Sequence, residues 1–494
     1  MPYQVPDYID SNKFFLVDFA ELEGRLDPAY VLYRQKIAND FSFPIRQLKE
    51  VLVMAPQYGT AESGIVRKSD SEPRYIRITD IDEYGNLTVI LGATAEKLEE
   101  QYLLKENDIL FARSGATVGK TYLHKERPYS CYFAGYMIRV VVDEALMLPE
   151  YLFIYTQLET YKEWVKAVQR VAAQPNINAE EYKSLPIPLP PLSVQKEIVD
   201  LYNTALLNRK KKLDESIRKL SSIDTYLLNV LGIKLQEPKP QLLQDRMFVV
   251  CFDEVNGGRL DPKLYSGSTK QLKQSLNESP FGKQPLKDFI TDGCSGEWGK
   301  DESEEVNEDK YTKCLVIRAT EFDNIYNLRL ENSRVKYRWI ENTKLSKMNI
   351  QPNDLLIEKS GGSDDQPVGR ISILTNDILQ DNIIAYSNFI HKITVTGINP
   401  MYLYYYLKTM HNIKITDAMQ SQTNGIRNLI MSEYFNQTIV VPPTNIQDEI
   451  VNHITNLRKQ AKTLQAEARE ILENAQKEVE AMILGGNTTG ERNV

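Results

Sequence analysis

The chain has 494 residues, of which 42% are hydrophobic and 26% are charged, proportions typical of soluble globular proteins. At roughly 150 residues per domain, this length predicts about three domains. The formal net charge of −8 argues against a uniformly basic nucleic-acid-binding surface but leaves room for a local basic cleft.

The N-terminus and the cysteines indicate a cytoplasmic protein. The opening residues, "MPYQVPDYIDSNKFF", lack the basic and apolar blocks of a secretory signal peptide. No apolar run approaches the roughly 18 residues that a membrane-spanning helix needs. The four cysteines show no CxxC spacing, which favours reduced thiols over a metal site or a disulfide framework.

The first half of the chain alternates short strands with helices. After "GRLDPAY" from Gly24, the β-branched and aromatic runs "YIRITDI", "DILFAR" and "MIRVVV" predict strands. The Tyr-rich run "PEYLFIYTQLETYKEWV" from Pro149 predicts helix that packs on them. The break "LPIPLPPL" ends this mixed segment, because proline stops regular elements. Strands and helices in this irregular order predict an α+β fold.

A long helix is predicted after the proline break. Its apolar residues recur every seven positions, at Val199, Leu206, Leu213, Leu220 and Leu227. This spacing favours a coiled coil, and an amphipathic core helix is the alternative. At about 1.5 Å per residue, a helix of roughly 38 residues would span about 55–60 Å.

The second half repeats the first. "GRLDPKLY" from Gly258 matches "GRLDPAY", and the later segments "RATEFDNIYNL", "NDLLIEKSG", "PMYLYYYLKT" and "PPTNIQDEIV" match "RITDIDEYGNL", "NDILFARSG", "PEYLFIYTQL" and "PPLSVQKEIV". A period of about 240 residues is too long for a solenoid repeat and predicts a tandem pair of domains.

The second copy also ends in a long helix. One heptad series comprises Leu457, Leu464 and Ile471, and a second comprises Ala461, Ala468, Ala475 and Met482. The small alanine side chains would allow a close approach. We therefore expect the two long helices to pair as an antiparallel coiled coil with a globular domain at each end, which makes the molecule pseudo-two-fold. Ser193 and Asn445 are predicted N-caps, and the glycines of "LGI" and "LGG" are predicted to follow the helix ends.

The stretch "NDILFARSGATVGKTYL" (107–123) resembles a phosphate-binding loop at first sight. Gly115 and Gly119 enclose three residues, one fewer than the G-x-x-x-x-G-K-[ST] loop requires. The counterpart "EKSGGSDDQPVGRISIL" changes the loop length and loses the Lys-Thr pair. Both stretches instead predict a β-hairpin with a glycine-containing turn.

No other catalytic constellation stands out. The four histidines show no metal-ligand spacing, and neither GxSxG nor HExxH is present. The acidic run "DESEEVNED" (301–309) is interpreted as a solvated loop kept away from DNA, with metal binding as the alternative. The sequence thus offers no catalytic, metal-binding or cofactor-binding motif.

The repeated endings carry a resemblance to a known family. "LPIPLPPLSVQKEIV" and "IVVPPTNIQDEIV", each followed by a long heptad helix, resemble the specificity subunit of type I restriction–modification enzymes. The hairpins "NDILFARSGATVGK" and "NDLLIEKSG" fit the same family, as do "AAQPNINAEEY" and "TNGIRNLIMSEY". The resemblance covers nearly the whole chain.

The resemblance implies a non-catalytic DNA-specificity subunit. Each globular segment would read one half of a bipartite, asymmetric site in double-stranded DNA, and the helices would set the unread spacer. Two methyltransferase subunits would dock on the chain and hold S-adenosylmethionine, and restriction (translocase–nuclease) subunits would join through them. The implied segments are target recognition domain 1 (1–191), spacer helix 1 (192–235), target recognition domain 2 (236–443), spacer helix 2 (444–485) and a flexible tail (486–494).

Candidate DNA contacts are basic, hydroxyl and amide side chains, because these groups bind phosphates and base edges. In the first domain they are Arg67, Lys68, Arg74, Arg77, Arg113, Ser114, Lys120 and Gln174. In the second they are Arg318, Lys336, Arg338, Lys359, Ser360, Arg370, Gln422 and Asn424. A solvated surface charge is the alternative for each basic residue. Two other functions stay open at this point, namely a coiled-coil scaffold for protein partners without DNA readout and an enzyme with its own nucleotide or methyl-donor site.

Overall fold

The computed structural model describes residues 16–17, 28–37, 41–88, 91–169, 175–235, 249–255, 261–323, 328–330, 336–362, 366–423 and 426–484. The chain divides into two compact units, the first comprising Met1–Leu213 with Gln465–Val494 and the second comprising Asp214–Leu464. Each unit therefore combines one copy of the repeat with the final part of the other copy's long helix. The predicted tail (486–494) and the glycines of "LGG" lie outside the described residues.

The first unit has the mixed α and β composition that its sequence predicts. Its elements are α1 (Pro28–Ile37), β1 (Ile45–Gln47), β2 (Gln57–Tyr58), β3 (Ile65–Val66), β4 (Arg74–Ile76), β5 (Ala93–Thr94), β6 (Ile109–Ala112), β7 (Thr121–Leu123), β8 (Cys131–Phe133), β9 (Met137–Val140), α2 (Pro149–Tyr155), α3 (Glu159–Val168), α4 (Ala179–Lys183), β10 (Pro186–Pro188) and the start of α5 (Leu192–Val230).

Two four-stranded sheets are described in this unit. The antiparallel sheet has the order β2-β9-β6-β7, and the mixed sheet has the order β3-β5-β4-β8, with β4 parallel to β8. Strands β6 and β7 form the predicted hairpin, with Ile109 opposite Leu123. Gly119 in its turn has φ 89°, and a Cβ there would lie 2.7 Å from Val165. The loop glycine thus serves the packing of the turn, which agrees with the hairpin interpretation.

The second unit repeats this plan and extends it. Its elements are the end of α5, α6 (Phe252–Val255), α7 (Pro262–Tyr265), α8 (Gly267–Asn277), β11 (Gly282–Pro285), β12 (Ile290–Ser295), β13 (Lys300–Asp301), β14 (Tyr311–Ile317), β15 (Lys336–Glu341), α9 (Asn342–Met348), β16 (Leu355–Glu358), β17 (Ser360–Gly362), β18 (Ile371–Ile373), α10 (Asn376–Asp381), β19 (Ile384–Tyr386), β20 (Ile390–Val395), α11 (Pro400–Asn412), β21 (Gln420–Thr423), β22 (Ile426–Leu429), α12 (Met431–Phe435), β23 (Thr438–Val441) and the start of α13 (Thr444–Ile483).

The sheets of the second unit correspond to those of the first. The order β12-β20-β16-β18 matches β2-β9-β6-β7, and β13-β15-β14-β19 matches β3-β5-β4-β8. The pair β11-β23 likewise matches β1-β10, and β17-β22-β21 forms an additional three-stranded sheet. The internal repeat read from the sequence is therefore a repeat of sheet topology.

The Tyr-rich helices bury their rings and still satisfy their hydroxyls. Tyr151 and Tyr155 of α2 donate to backbone carbonyls of β10 at 2.7 and 2.8 Å. Tyr402 and Tyr406 of α11 donate to carbonyls of β23 at 2.6 and 2.9 Å. Because a buried hydroxyl without a partner costs free energy, these bonds fix each helix against the strand that precedes the Pro-Pro pair.

The two long helices contribute to the core of each unit. In the first unit, Lys212 Nζ lies 2.7 Å from Glu467 Oε2. In the second, Ser216 Oγ donates to the Ala461 carbonyl at 3.1 Å, and the rings of Tyr226 and His453 stack at 3.9 Å. Later residues of α5 thus meet earlier residues of α13, so the segments run antiparallel in that unit. The residues predicted at heptad positions are buried or half-buried: Val199, Leu206, Leu213, Leu220, Leu227, Leu457, Leu464 and Ile471.

The helix ends differ in one detail from the prediction. Each helix begins one residue before the predicted N-cap, so Ser193 and Asn445 lie inside the first turn. Gln195 N donates to the Pro191 carbonyl at 3.0 Å, which shows that the second residue of each Pro-Pro pair starts the helical hydrogen bonding. The predicted glycine stop is confirmed for α5, since Gly232 has φ 66°.

Candidate nucleic-acid interface

In the first unit, five side chains lie around the hairpin turn after β6. They are Tyr58, Arg113, Ser114, Tyr136 and Asn176, called the first cluster below. Arg113 N donates to the Tyr136 carbonyl at 3.0 Å, and its guanidinium carbon lies 4.8 Å from the centre of the Tyr58 ring. Ser114 forms an antiparallel bridge with Asn176. Tyr136 is 65% exposed.

The second unit has a matching group after β16. It comprises Ser295, Lys359, Ser360, Phe389 and Asn428, called the second cluster. Lys359 N donates to the Phe389 carbonyl at 2.8 Å, and Lys359 Nζ donates to Ser295 Oγ at 2.7 Å. Ser360 Oγ donates to Asn428 Oδ1 at 2.7 Å. Partial burial lowers the pKa of Lys359, and Phe389 is 48% exposed.

The two clusters are positioned by the same backbone contacts. Ile177 N donates to the Arg113 carbonyl in the first unit, and Leu429 N donates to the Lys359 carbonyl in the second, at 2.9 and 2.8 Å. Each cluster thus presents a basic, a hydroxyl, an amide and an aromatic side chain at equivalent positions. These groups can contact phosphates, hydrogen-bond base edges and pack against bases.

Arg77 and Arg318 hold local turns together. Arg77 Nε and Nη2 donate to Asp80 at 3.3 and 2.9 Å, and Arg318 Nε and Nη2 donate to Glu321 at 3.2 and 2.7 Å. The hydrogen bond to Asp80 raises the pKa of Arg77. Both acidic partners are buried. The repetition of this arginine in both copies is therefore accounted for by the fold, since a buried carboxylate needs its partner.

Lys120 and Arg370 connect each hairpin to the same turn. Lys120 Nζ donates to the Ile81 carbonyl at 3.0 Å. Arg370 Nη1 donates to the Phe322 carbonyl at 3.3 Å, and its Nε and Nη2 each lie 2.8 Å from the buried Glu358 carboxylate. The bidentate geometry uses the guanidinium fork fully. Both predicted DNA contacts thus have structural partners inside their own unit.

Arg67 and Arg74 lie inside the first unit. Arg67 is 0% exposed, lies 4.1 Å from the centre of the Tyr129 ring and donates to Asp70 and to the carbonyls of Glu72 and Leu91. Arg74 is also buried, with Nη1 3.4 Å from the Tyr129 hydroxyl. Desolvated and partnered guanidinium groups of this kind stabilise the unit rather than face solvent.

The acidic run is an exposed loop, as predicted, and the acidic side chains at its start also pair with basic residues. Asp301 Oδ2 lies 3.4 Å from Arg338 Nη1, and Glu302 pairs with Lys313. The Arg338 guanidinium also lies 4.4 Å from the centre of the Trp298 ring. The start of the run is attracted by positive charges on β14 and β15, which the one-dimensional charge pattern does not reveal.

Five predicted contacts remain. Lys68 and Lys336 have exposed side chains. Gln422 lies in β21 opposite Arg427, and the described features of this residue are limited to its backbone. Gln174 and Asn424 lie outside the described residues.

The repeated Asn-Asp pair before each hairpin is a structural turn. Asn107 and Asn353 have φ of 72° and 71°, a conformation that asparagine tolerates better than most residues. Asp108 accepts from Lys105 N at 2.9 Å, and Asp354 accepts from Gln351 N at 2.8 Å. These contacts account for the "NDIL" and "NDLL" pattern.

Both copies carry a glutamine four residues after the second proline of the Pro-Pro pair, Gln195 and Gln447, and neither was among the predicted site residues. Both side chains are buried, and each bridges two helices, an arrangement called the glutamine clamp. Gln195 Oε1 accepts from Leu148 N at 2.8 Å, and Gln447 Oε1 accepts from Asn399 N at 2.9 Å. Each thereby joins the start of a long helix to the start of the Tyr-rich helix. The presence of this glutamine at the same position of both copies is the feature of the sequence that could have predicted its structural role.

Within the described ranges, no group of three or more His, Cys, Asp and Glu side chains could hold a metal ion. No helix in the same ranges is long and apolar enough to cross a membrane. All four cysteines are free, with Cys131 and Cys314 buried.

Comparison with known proteins identifies the family. The family model for the type I restriction modification DNA specificity domain matches residues 59–214 and 296–474. The type I restriction enzyme EcoKI specificity subunit of Escherichia coli is 22% identical over 379 residues, 76% of this chain and 73% of that protein. The StySPI specificity subunit of Salmonella potsdam is 22% identical over 391 residues, with the same coverage. A solved structure from work on the complex assembly and conformational transition of the type I R-M system is 14% identical to this chain, with a TM-score of 0.48; the match covers 90% of this chain and 97% of the solved one. Because the family model matches more than half of the residues of this chain, the chain belongs to the type I restriction modification DNA specificity domain family.

Proposed function

We propose that this chain reads a bipartite, asymmetric DNA sequence, with one half-site bound by each unit. As a member of its family, the chain is a non-catalytic specificity subunit that recognises a DNA target. The two matched clusters carry the proposal, because they combine phosphate-binding and base-reading groups at equivalent places. Arg113 and Tyr58 of the first cluster are replaced by Lys359 and Ser295 in the second, so the half-sites should differ.

Within each cluster, the basic residue is the proposed phosphate or guanine contact. The hydroxyl and amide side chains are the proposed base contacts, and exposed Lys68 and Lys336 add phosphate contacts. Arg67, Arg77, Arg318 and Arg370 are better suited to stabilising the fold of their own unit, because their guanidinium groups already bind acidic or carbonyl partners there.

The proposed spacer is an antiparallel coiled coil of α5 and α13, with pseudo-two-fold symmetry between the halves of the chain. The contacts of Lys212 with Glu467 and of Ser216 with Ala461 support this pairing. At about 1.5 Å per residue, helices of 39 and 40 residues extend over roughly 60 Å. A helical spacer of fixed length would convert the distance between the units into the distance between half-sites.

Two methyltransferase subunits are the proposed partners, and they would hold S-adenosylmethionine. The long helices offer them exposed apolar side chains, including Leu207 and Ile217. Restriction subunits would join through the methyltransferase subunits. The relatives are named as specificity subunits of type I restriction enzymes, which supports a partnership of this kind in the cytoplasm.

Methylation mapping tests the proposal. The chain is co-expressed with its methyltransferase subunits in a host that lacks other adenine methylation, and the genome is sequenced for methylated bases. We expect one interrupted motif with two different halves, absent from cells that express the methyltransferase subunits alone. Co-purification of the subunits without any new motif would instead favour a scaffold that lacks DNA readout.

A further inference from the structure

Each cluster holds an aromatic residue, Tyr136 or Phe389, whose exposed ring has no individual role in the proposed function; Tyr58 of the first cluster is also exposed, but its ring lies against Arg113. Tyr136 and Phe389 occupy equivalent positions, immediately before β9 and β20, and are 65% and 48% exposed. The carbonyl of each aromatic residue accepts the backbone N–H of the cluster's basic residue, Arg113 or Lys359. Each aromatic residue is therefore bonded through its backbone to the residue proposed as a phosphate contact.

Identical turns hold the two aromatic residues in place. Met137 N donates to the Ala134 carbonyl at 3.0 Å, and Ile390 N donates to the Ser387 carbonyl at 2.9 Å, so each aromatic residue is third in a hydrogen-bonded turn. The first residue of each turn is bonded to the end of the central strand β4 or β14, through Ile76 or Ile317. The rings are thus presented on an anchored backbone rather than on a loose loop.

The residue types indicate that the ring itself is used. One copy has tyrosine and the other phenylalanine, so a hydroxyl is not common to both positions. A cluster that combines an exposed aromatic ring with a basic, a hydroxyl and an amide side chain suits double-stranded DNA, in which bases supply stacking surfaces and phosphates supply charge. Leu146 and Ile383 are also exposed apolar residues, but neither belongs to a cluster, so they are suitable control positions.

We propose that Tyr136 and Phe389 each insert their ring against the bases of one half-site and unstack them locally. This inference rests on the proposed function and adds a DNA-binding residue to each unit. Since ring packing is the useful interaction, exchange between tyrosine and phenylalanine should be tolerated, whereas alanine should not.

The test uses the chain in complex with its methyltransferase subunits and a duplex that carries the mapped motif. The affinity is measured at one fixed salt concentration for Tyr136→Ala, Tyr136→Phe, Phe389→Ala and Phe389→Tyr, with Leu146→Ala and Ile383→Ala as controls. In a second measurement, 2-aminopurine replaces an adenine in one half-site or the other, and its fluorescence reports unstacking.

We expect each alanine variant at a cluster position to weaken binding by about 5- to 100-fold. The aromatic exchanges and both controls should stay within about two-fold of wild type. Tyr136→Ala should abolish the 2-aminopurine signal in one half-site, and Phe389→Ala should abolish it in the other.

Two results would overturn the inference while leaving the proposed function intact. Specific binding by wild type with unchanged affinity of both alanine variants would exclude a role for the rings. Loss of the signal in the same half-site for both variants would exclude the assignment of one ring per half-site. If the wild-type complex itself shows no preference for the motif, the proposed function fails instead.

Discussion

The glutamine clamp gives the sharpest prediction about stability. Gln195 is 0% exposed and makes three hydrogen bonds, accepting from Leu148 N at 2.8 Å and donating to the carbonyls of Leu146 and Pro190 at 3.0 and 2.9 Å. Gln195→Met keeps most of the side-chain volume but removes these bonds. At about 1 kcal/mol for each bond, it should reduce the free energy of unfolding by roughly 3 kcal/mol. Gln195→Ala should cost more, about 4–5 kcal/mol, because it also leaves a cavity.

The second copy provides an internal comparison. Gln447 is 4% exposed and makes two hydrogen bonds, accepting from Asn399 N at 2.9 Å and donating to the Pro442 carbonyl at 2.8 Å. By the same reasoning, Gln447→Met should cost about 2 kcal/mol. The ratio of the two effects is therefore set by the number of hydrogen bonds lost.

Urea unfolding and amide hydrogen exchange measure the effect. The Gln195→Met variant should shift the unfolding transition to lower urea and accelerate exchange of the Leu148 amide, which loses its acceptor. Lys196→Ala, at an exposed position in the same helical turn, is the matched control and should change stability by less than about 0.5 kcal/mol. A Gln195→Met variant as stable as this control, with unchanged exchange at Leu148, would refute the clamp.

Three further predictions concern spacing, pH and salt. Inserting four residues, about one helical turn, within 199–227 of α5 should lengthen the spacer of the methylated motif or abolish methylation, and unchanged spacing with full activity would refute the spacer role. Burial lowers the pKa of His124 to about 4. Between about pH 6.5 and 4, His124 is protonated in the unfolded chain and neutral in the folded chain. Its contribution to the free energy of unfolding is therefore fully present above pH 6.5 and decreases by on the order of 3 kcal/mol as the pH falls to about 4. Urea midpoints measured across this range should fall less for His124→Gln. For DNA binding, Arg113→Ala and Lys359→Ala should each reduce the slope of the logarithm of the binding constant against the logarithm of the salt concentration by about 0.9. The exposed control Lys166→Ala should leave this slope unchanged. Slopes equal to wild type for both cluster variants would exclude these phosphate contacts.

Much of the architecture is encoded locally and was predictable. Sequence repetition predicted two copies of one unit, and the sheets indeed recur in the same order. The hairpin of Ile109–Leu123 followed from an apolar run and glycine spacing, and the heptads predicted helices that the structure bounds at Leu192–Val230 and Thr444–Ile483. Periodicity and turn chemistry act over a few residues, so they can be read without the fold.

The role of each basic side chain was decided by tertiary structure. Arg113 and Arg370 are both arginines at a hairpin, yet Arg113 lies beside an exposed tyrosine while Arg370 is buried against Glu358. The sequence alone established two similar units, each with candidate basic and amide groups. Only packing brings segments such as 113–114, 136 and 176 into one cluster and removes Arg67 from solvent. The physical reason is that burial and charge pairing depend on contacts between segments far apart in the chain, which composition and spacing do not encode.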